Sequence, residues 1–191
     1  MSSINHFKQN RAVHLARRDG YFEAAVAAVR QAPSGGEAEE SFYGEVLFLL
    51  RVARLHARFC VRSREASGAD EEFARFVALL AGSVKAVLSM LELRNAVVKD
   101  RSFNFLGSNQ ATLGLQAEEY QRRAAELVRA LRSTLELAEE SFAVLKVENE
   151  ASLEASERER YDRARAHVAE LMERGQHRYP IAPSLGKLGS S

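Results

Sequence analysis

The feature that most constrains the fold of this chain is a heptad pattern in its C-terminal half. Apolar or small side chains recur at alternating steps of four and three residues, with one extra four-residue step after Ala138. The members of the pattern are Leu113, Ala117, Tyr120, Ala124, Leu127, Leu131, Thr134, Ala138, Phe142 and Leu145. Because this repeat places one continuous line along a helix, it predicts a long helix over residues 113–147 in a coiled coil or a helix bundle.

The composition extends this expectation to the whole chain. Alanine, leucine, glutamate and arginine dominate, the chain has only three prolines, and few stretches are rich in β-branched residues. These side chains lose little rotamer freedom on a helical backbone, whereas a sheet has little to be built from. The sequence therefore predicts an all-α fold, a multi-helix bundle with one long heptad-patterned helix and a charged C-terminal helix.

We expect a single domain over residues 1–175. Its predicted parts are a helical hairpin at 4–32, core helices within 39–97, the long helix at 113–147 and a charged helix at 149–174. A flexible tail at 176–191 follows, because it contains two of the three prolines and ends in small residues. The stretch 76–93 is the most apolar, but Lys85 lies in its middle, so we expect a core helix and no membrane span.

The N-terminal hairpin is predicted from two breaks, Asp19-Gly20 and Pro33-Ser34-Gly35-Gly36. Within residues 11–32, five small or apolar residues stand at motif-like spacings: Gly20, Phe22, Ala25, Val29 and Ala32. This segment resembles one tetratricopeptide unit, and it is also similar to the short helices of microtubule-interacting and trafficking domains. The resemblance implies two antiparallel helices, and no second copy of the motif follows.

The segment RVARLHARFCVRSR at residues 51–64 is rich in arginine. Four of its arginines follow one another at steps of three and four residues and share one face of a predicted helix over residues 39–62: Arg51, Arg54, Arg58 and Arg62. One interpretation is a solvated or internally paired helix face, with acids of the final helix as its partners. The other is a docking strip for an acidic helix or a phosphorylated protein, since guanidinium groups bind carboxylate and phosphate bidentately.

The same helix carries the candidate metal ligands of the chain. His56 and Cys60 are four residues apart and face away from the arginines, on the predicted core side. Zinc normally takes three or four protein ligands, and the chain has one cysteine and no HExxH motif. We therefore expect a buried histidine beside a buried free thiol and no cofactor, with a bundle that binds a small molecule or a metal as the alternative.

Two further sets of residues are candidates for binding. Phe103 and Phe105 lie in the aperiodic stretch 98–114, where they form either a functional loop or apolar plugs at the end of the bundle. Tyr161 and Val168 belong to the thin apolar line of the charged final helix. This line either packs one edge of the helix and leaves the rest in solvent or pairs with another chain, and we expect the two residues to contact a partner.

The charge distribution and the absence of enzyme motifs favour some classes of function over others. Residues 1–64 carry ten Lys and Arg against six Asp and Glu, residues 110–175 carry ten against fourteen, and the whole chain has a net charge of only +1. No phosphate-binding or nucleophile motif occurs, so the sequence gives no support for an enzyme.

The leading hypothesis is a non-enzymatic adaptor or assembly subunit that binds another protein or itself, and nucleic acid is unlikely as a partner because the total charge is near neutral. RNA binding through the basic half remains an alternative. We expect an intracellular, cytoplasmic protein, or a mitochondrial one because residues 1–18 have no acid.

Overall fold

The computed structural model describes residues 2–33, 36–103 and 110–175, and these residues form five α-helices without a strand. The helices are α1 (Ser2–Arg30), α2 (Gly36–Val61), α3 (Gly68–Phe103), α4 (Gln110–Ser152) and α5 (Ala155–Glu173). α1 packs on α2, α2 on α3 and α3 on α4, and α5 packs on α1. Side chains of α1 and α4 also meet, as Phe22 and Phe142 do. The prediction of an all-α multi-helix bundle is confirmed.

The main core lies where α1, α2, α3 and α4 face one another. Its aromatic centre consists of Phe22, Phe73 and Phe142, whose ring centroids are 4.9 to 5.6 Å apart. Apolar stripes on α2 and α3 supply most of the remaining side chains, among them Val46, Leu50, Leu80, Val84 and Leu91. Burial of these stripes, rather than helix propensity, stabilises helices of this length in water.

The heptad prediction agrees with the observed long helix. Of its members, five are buried on the side of α4 that faces the core: Ala124, Leu131, Ala138, Phe142 and Leu145. α4 nevertheless extends beyond both predicted ends, from Gln110 to Ser152. The charged helix consequently begins at Ala155 and not at residue 149, after a capping box in which Glu154 and Glu157 each accept a backbone N–H of the other.

The predicted N-terminal hairpin is wrong, because α1 is one continuous helix from Ser2 to Arg30. Asp19 and Gly20 lie in its middle and are fixed by tertiary contacts: the Asp19 carboxylate binds side chains on α1 and α5, and Gly20 lies against Val168. Such contacts override the local tendency of an Asp-Gly pair to end a helix. A single helix lacks the turn between antiparallel helices that a tetratricopeptide unit requires.

By length and composition α3 is apolar enough to cross a membrane over Gly68–Asp100, a test that the central helix of a packed core also passes. In the described fold α3 lies between α2 and α4 and contributes the buried Phe73, Val77 and Leu80 to the core. Its outer side carries exposed charges, including Lys85 and Glu92.

Candidate interaction surface

The four arginines predicted to share one face of α2 are all exposed, and we call them the arginine row: Arg51, Arg54, Arg58 and Arg62. On the opposite side of the helix, Val46, Ala53 and Cys60 are buried. Leu55 lies among the arginines and keeps 40% of its surface exposed. The row therefore forms a basic surface with one accessible apolar side chain, beside a shallow groove between α2 and α3.

None of the four arginines of the row has a carboxylate partner among residues 2–33, 36–103 and 110–175; several other surface arginines do have one. Arg122 and Arg123 on α4 share Glu119, and Arg163 on α5 pairs with Glu159. The acids of α5 do not reach the row, so the expectation that they pair with it is wrong. α5 lies on α1 instead.

Neighbouring arginines in the row repel one another. Arg54, Arg58 and Arg62 follow at steps of four residues, and like charges at this spacing destabilise a helix by about 0.2–0.5 kcal/mol per pair. At the C-terminal end of the row, Arg58 and Arg62 line the groove together with Glu71 and Arg75 of α3. Glu71 is engaged by Arg75 at 3.8 Å. The row is thus a concentration of positive charge in which no arginine forms an ion pair with a carboxylate of the described residues.

A second group of charged residues is buried where α1, α3 and α5 meet, and we call it the buried junction. Arg18 has no exposed surface; its Nε donates to Asp19 Oδ1 at 2.9 Å and its Nη1 donates to Asp70 Oδ1 at 2.8 Å. Its guanidinium carbon lies 5.0 Å from the centre of the Phe73 ring, within cation–π range. Arg11 lies 3.6 Å from the other oxygen of Asp70. The buried junction thus contains two positive side chains, Arg11 and Arg18, and two negative ones, Asp19 and Asp70.

The buried junction also fixes the start of α3 and attaches α5 to α1. Asp70 closes a capping box at the start of α3, because its carboxylate accepts the Ser67 backbone N–H at 3.1 Å and its own N–H donates to Ser67 Oγ. Tyr161 of α5 donates its hydroxyl to Asp19 Oδ2 at 2.6 Å. Burial, followed by the neighbouring Asp19 carboxylate, raises the pKa of the Tyr161 hydroxyl, so it remains the donor at neutral pH.

Tyr161 and Val168 are therefore not part of an exposed surface, and their predicted contact with a partner is corrected. Both side chains are buried against α1 within the same chain. Val168 packs over Gly20, where a Cβ atom would lie 2.8 Å from Val168 Cγ1. The thin apolar line of α5 is used to attach this helix to α1.

The two candidate metal ligands, His56 and Cys60, belong to different surroundings. His56 Nδ1 lies 2.9 Å from His14 Nδ1, and Phe59 stacks on the His14 ring. Burial, then the His14 ring and Arg17, lower the pKa of His56 to about 3. Cys60 instead lies beside the buried junction, where burial raises its pKa to about 12. The described part of the chain contains no group of three His, Cys, Asp or Glu residues arranged to hold a metal ion.

A third feature lies on the side of α4 that faces away from the core, and we call it the α4 outer face. It consists of Glu136, Leu137, Glu140, Val144, Val147 and Glu148. The three apolar side chains keep 54 to 69% of their surface exposed. Within the described residues, none of the three glutamates has a cationic partner.

Sequence reasoning missed the buried charges. Arg11 and Arg18 occupy positions on the apolar stripe of α1, and Arg94 continues the stripe of Val84, Val87 and Leu91 on α3. Arg94 Nη1 donates to Glu39 of α2 at 2.7 Å and also to Gln121 of α4, so it joins three helices. The sequence did contain a signal, namely a charged residue at a position of the core stripe. A charge that is buried at such a position needs an oppositely charged or hydrogen-bonding partner inside the protein.

The remaining candidates, Phe103 and Phe105, are not tested. α3 continues to Phe103 and α4 begins at Gln110, so part of the stretch predicted to be aperiodic is helical. Phe105 lies outside the described residues, as does the predicted tail at 176–191.

Comparisons of the chain with protein-family models, with curated proteins and with solved structures found no match. The resemblance to tetratricopeptide or trafficking-domain helices thus gains no support from them.

Proposed function

We propose that this chain is a helical protein–protein interaction module and that the arginine row binds an acidic helix face of its partner. The observation that carries the proposal is the exposure of four neighbouring guanidinium groups that have no carboxylate partner in the described chain. Guanidinium groups bind carboxylates through two parallel hydrogen bonds, and they are less strongly hydrated than ammonium groups. A helix with glutamates at steps of three and four residues would match the spacing of the row.

The surroundings of the row support binding rather than a purely solvated face. Leu55 offers an apolar side chain at the centre of the charges, and a bound helix would remove its exposed surface from water. A bound acidic helix would also relieve the repulsion between Arg54, Arg58 and Arg62. Its charges would steer association and set the register, while the apolar contact would add affinity.

Photocrosslinking in the cells that produce the protein tests this proposal. A photoreactive amino acid replaces Leu55 in the full chain, and the matched control carries it at Leu93 of α3, which is 42% exposed. We expect a protein adduct at position 55 and little at position 93. Reversing all four arginines to glutamate should lower the yield at position 55 about tenfold or more, because like charges across an interface cost several kcal/mol.

Three outcomes would contradict the proposal. One is the lack of any protein adduct at position 55. Another is an adduct whose yield does not change when the arginines are reversed. The third is an adduct that nuclease removes, which would instead support the RNA-binding alternative.

A further inference from the structure

We infer that the acidic partner of the arginine row is a second copy of this chain, which binds through the α4 outer face. The inference rests on the proposed function and names its partner. From Ser133 to Ser152, α4 exposes four glutamates, and its only cation in this stretch is the half-buried Lys146. One chain therefore presents an unpaired basic helix face and an unpaired acidic helix face.

The two faces match in length as well as in charge. At 1.5 Å per residue, the arginine row extends about 17 Å from Arg51 on α2 to Arg62, which directly follows the last residue of that helix. By the same measure the α4 outer face extends about 18 Å from Glu136 to Glu148. Two helices laid side by side would thus bring the whole row against the three glutamates.

Each face also has a reason to be covered. Leu137, Val144 and Val147 expose more than half of their surface, and they lie between the glutamates at steps of seven and three residues. Side chains that recur every seven residues lie on the line along which one helix contacts another in a coiled coil. Leu55 in the arginine row provides the facing apolar side chain, and the glutamates at 136 and 140 repel each other as the arginines do.

The two faces do not meet within one chain. α2 and α4 both pack on α3, and no described contact joins the arginine row to the α4 outer face. Each copy offers both faces, so two copies can close as a two-fold dimer with two such contacts, and more copies can form a ring or an open chain. An interface of one helix on each side is small, so we expect weak association that salt suppresses.

Sedimentation velocity with charge-reversed variants tests the inference. One variant carries Arg51→Glu, Arg54→Glu, Arg58→Glu and Arg62→Glu, and the other carries Glu136→Lys, Glu140→Lys and Glu148→Lys. The wild-type chain should exceed its monomer mass of 21.3 kDa as concentration rises toward roughly 0.5 mM at about 0.05 M salt, and return to it at about 0.5 M salt. Each variant alone should remain monomeric.

Mixing the two variants in equal amounts provides the decisive arm. Each interface would then join opposite charges again, so association should return in the mixture, which also shows that both variants are folded. The inference is overturned if the wild-type chain stays monomeric, if either variant still associates alone, or if the mixture does not associate. If the chain does not associate with itself while position 55 still forms an arginine-dependent adduct with another protein, the inference fails and the proposed function stands.

Discussion

Arg18 of the buried junction and Arg54 of the arginine row show how differently one residue type is used in this bundle. Arg18 is fully buried and donates to two carboxylates, whereas Arg54 is exposed and has no carboxylate partner in the described chain. Burying an unpaired guanidinium would cost several kcal/mol, so the buried arginine must be matched within the fold. The exposed arginine is matched by water alone. We conclude that the buried junction holds helices together and that the row is free to bind.

The largest expected effect is the loss of the buried cation. Arg18→Met leaves Asp19 and Asp70 without their main partner in a dry site, and removal of one member of a buried pair costs about 3–5 kcal/mol. The measurement is the free energy of unfolding from urea titration. Arg54→Met is the matched control and should change it by less than about 0.5 kcal/mol. Equal losses in the two variants would contradict the distinction between the two arginine sites.

A smaller effect is expected where α5 contacts α1. Gly20→Ala places a methyl group 2.8 Å from Val168 Cγ1, and such overpacking costs about 1–3 kcal/mol. Gly82→Ala on α3 is the control, because no atom lies within 4 Å of its added methyl group and alanine favours a helix by up to about 1 kcal/mol. Urea unfolding should therefore show opposite signs for the two changes, and Val168→Ala should reduce the loss caused by Gly20→Ala. Stabilisation by both glycine changes would show that α5 does not pack as described.

The smallest effect concerns the histidine pair at the edge of α1 and α2. Because the folded state lowers the pKa of His56 from 6.5 to about 3, only the unfolded chain takes up this proton between those values. The free energy of unfolding therefore falls as pH decreases from 6.5, by about 1 kcal/mol at pH 5.5. His56→Gln should remove this component, while the exposed His167→Gln should leave it unchanged. An identical pH dependence for wild type and His56→Gln would refute the lowered pKa.

Periodicity made the helices and their faces predictable. The heptad line of α4 and the separation of Val46, Ala53 and Cys60 from the arginine row follow from side-chain spacing alone, and the structure confirms both. These features depend on neighbours within one helix. They can therefore be predicted from the sequence without knowledge of the other helices.

Features that depend on another helix were not predictable in the same way. Asp19-Gly20 is a local break signal, and only the approach of Val168 and Tyr161 from α5 explains why the helix continues through it. The partners of Arg18 include Asp70, which is distant in sequence and becomes adjacent only in the folded bundle. The α4 outer face was not predicted for another reason. Its apolar residues alternate with glutamates, and the heptad pattern on the opposite side of α4 is the stronger apolar pattern of that helix.

The measurement that tests the separation of the two arginine sets most directly is the photocrosslinking yield at position 55 of the four-arginine variant, with its urea unfolding recorded on the same preparation. We predict an unfolding free energy close to that of the wild-type chain together with a loss of the arginine-dependent protein adduct. An unchanged adduct yield in a folded variant would contradict a binding role for the row, and unfolding of the variant would show that the row supports the fold.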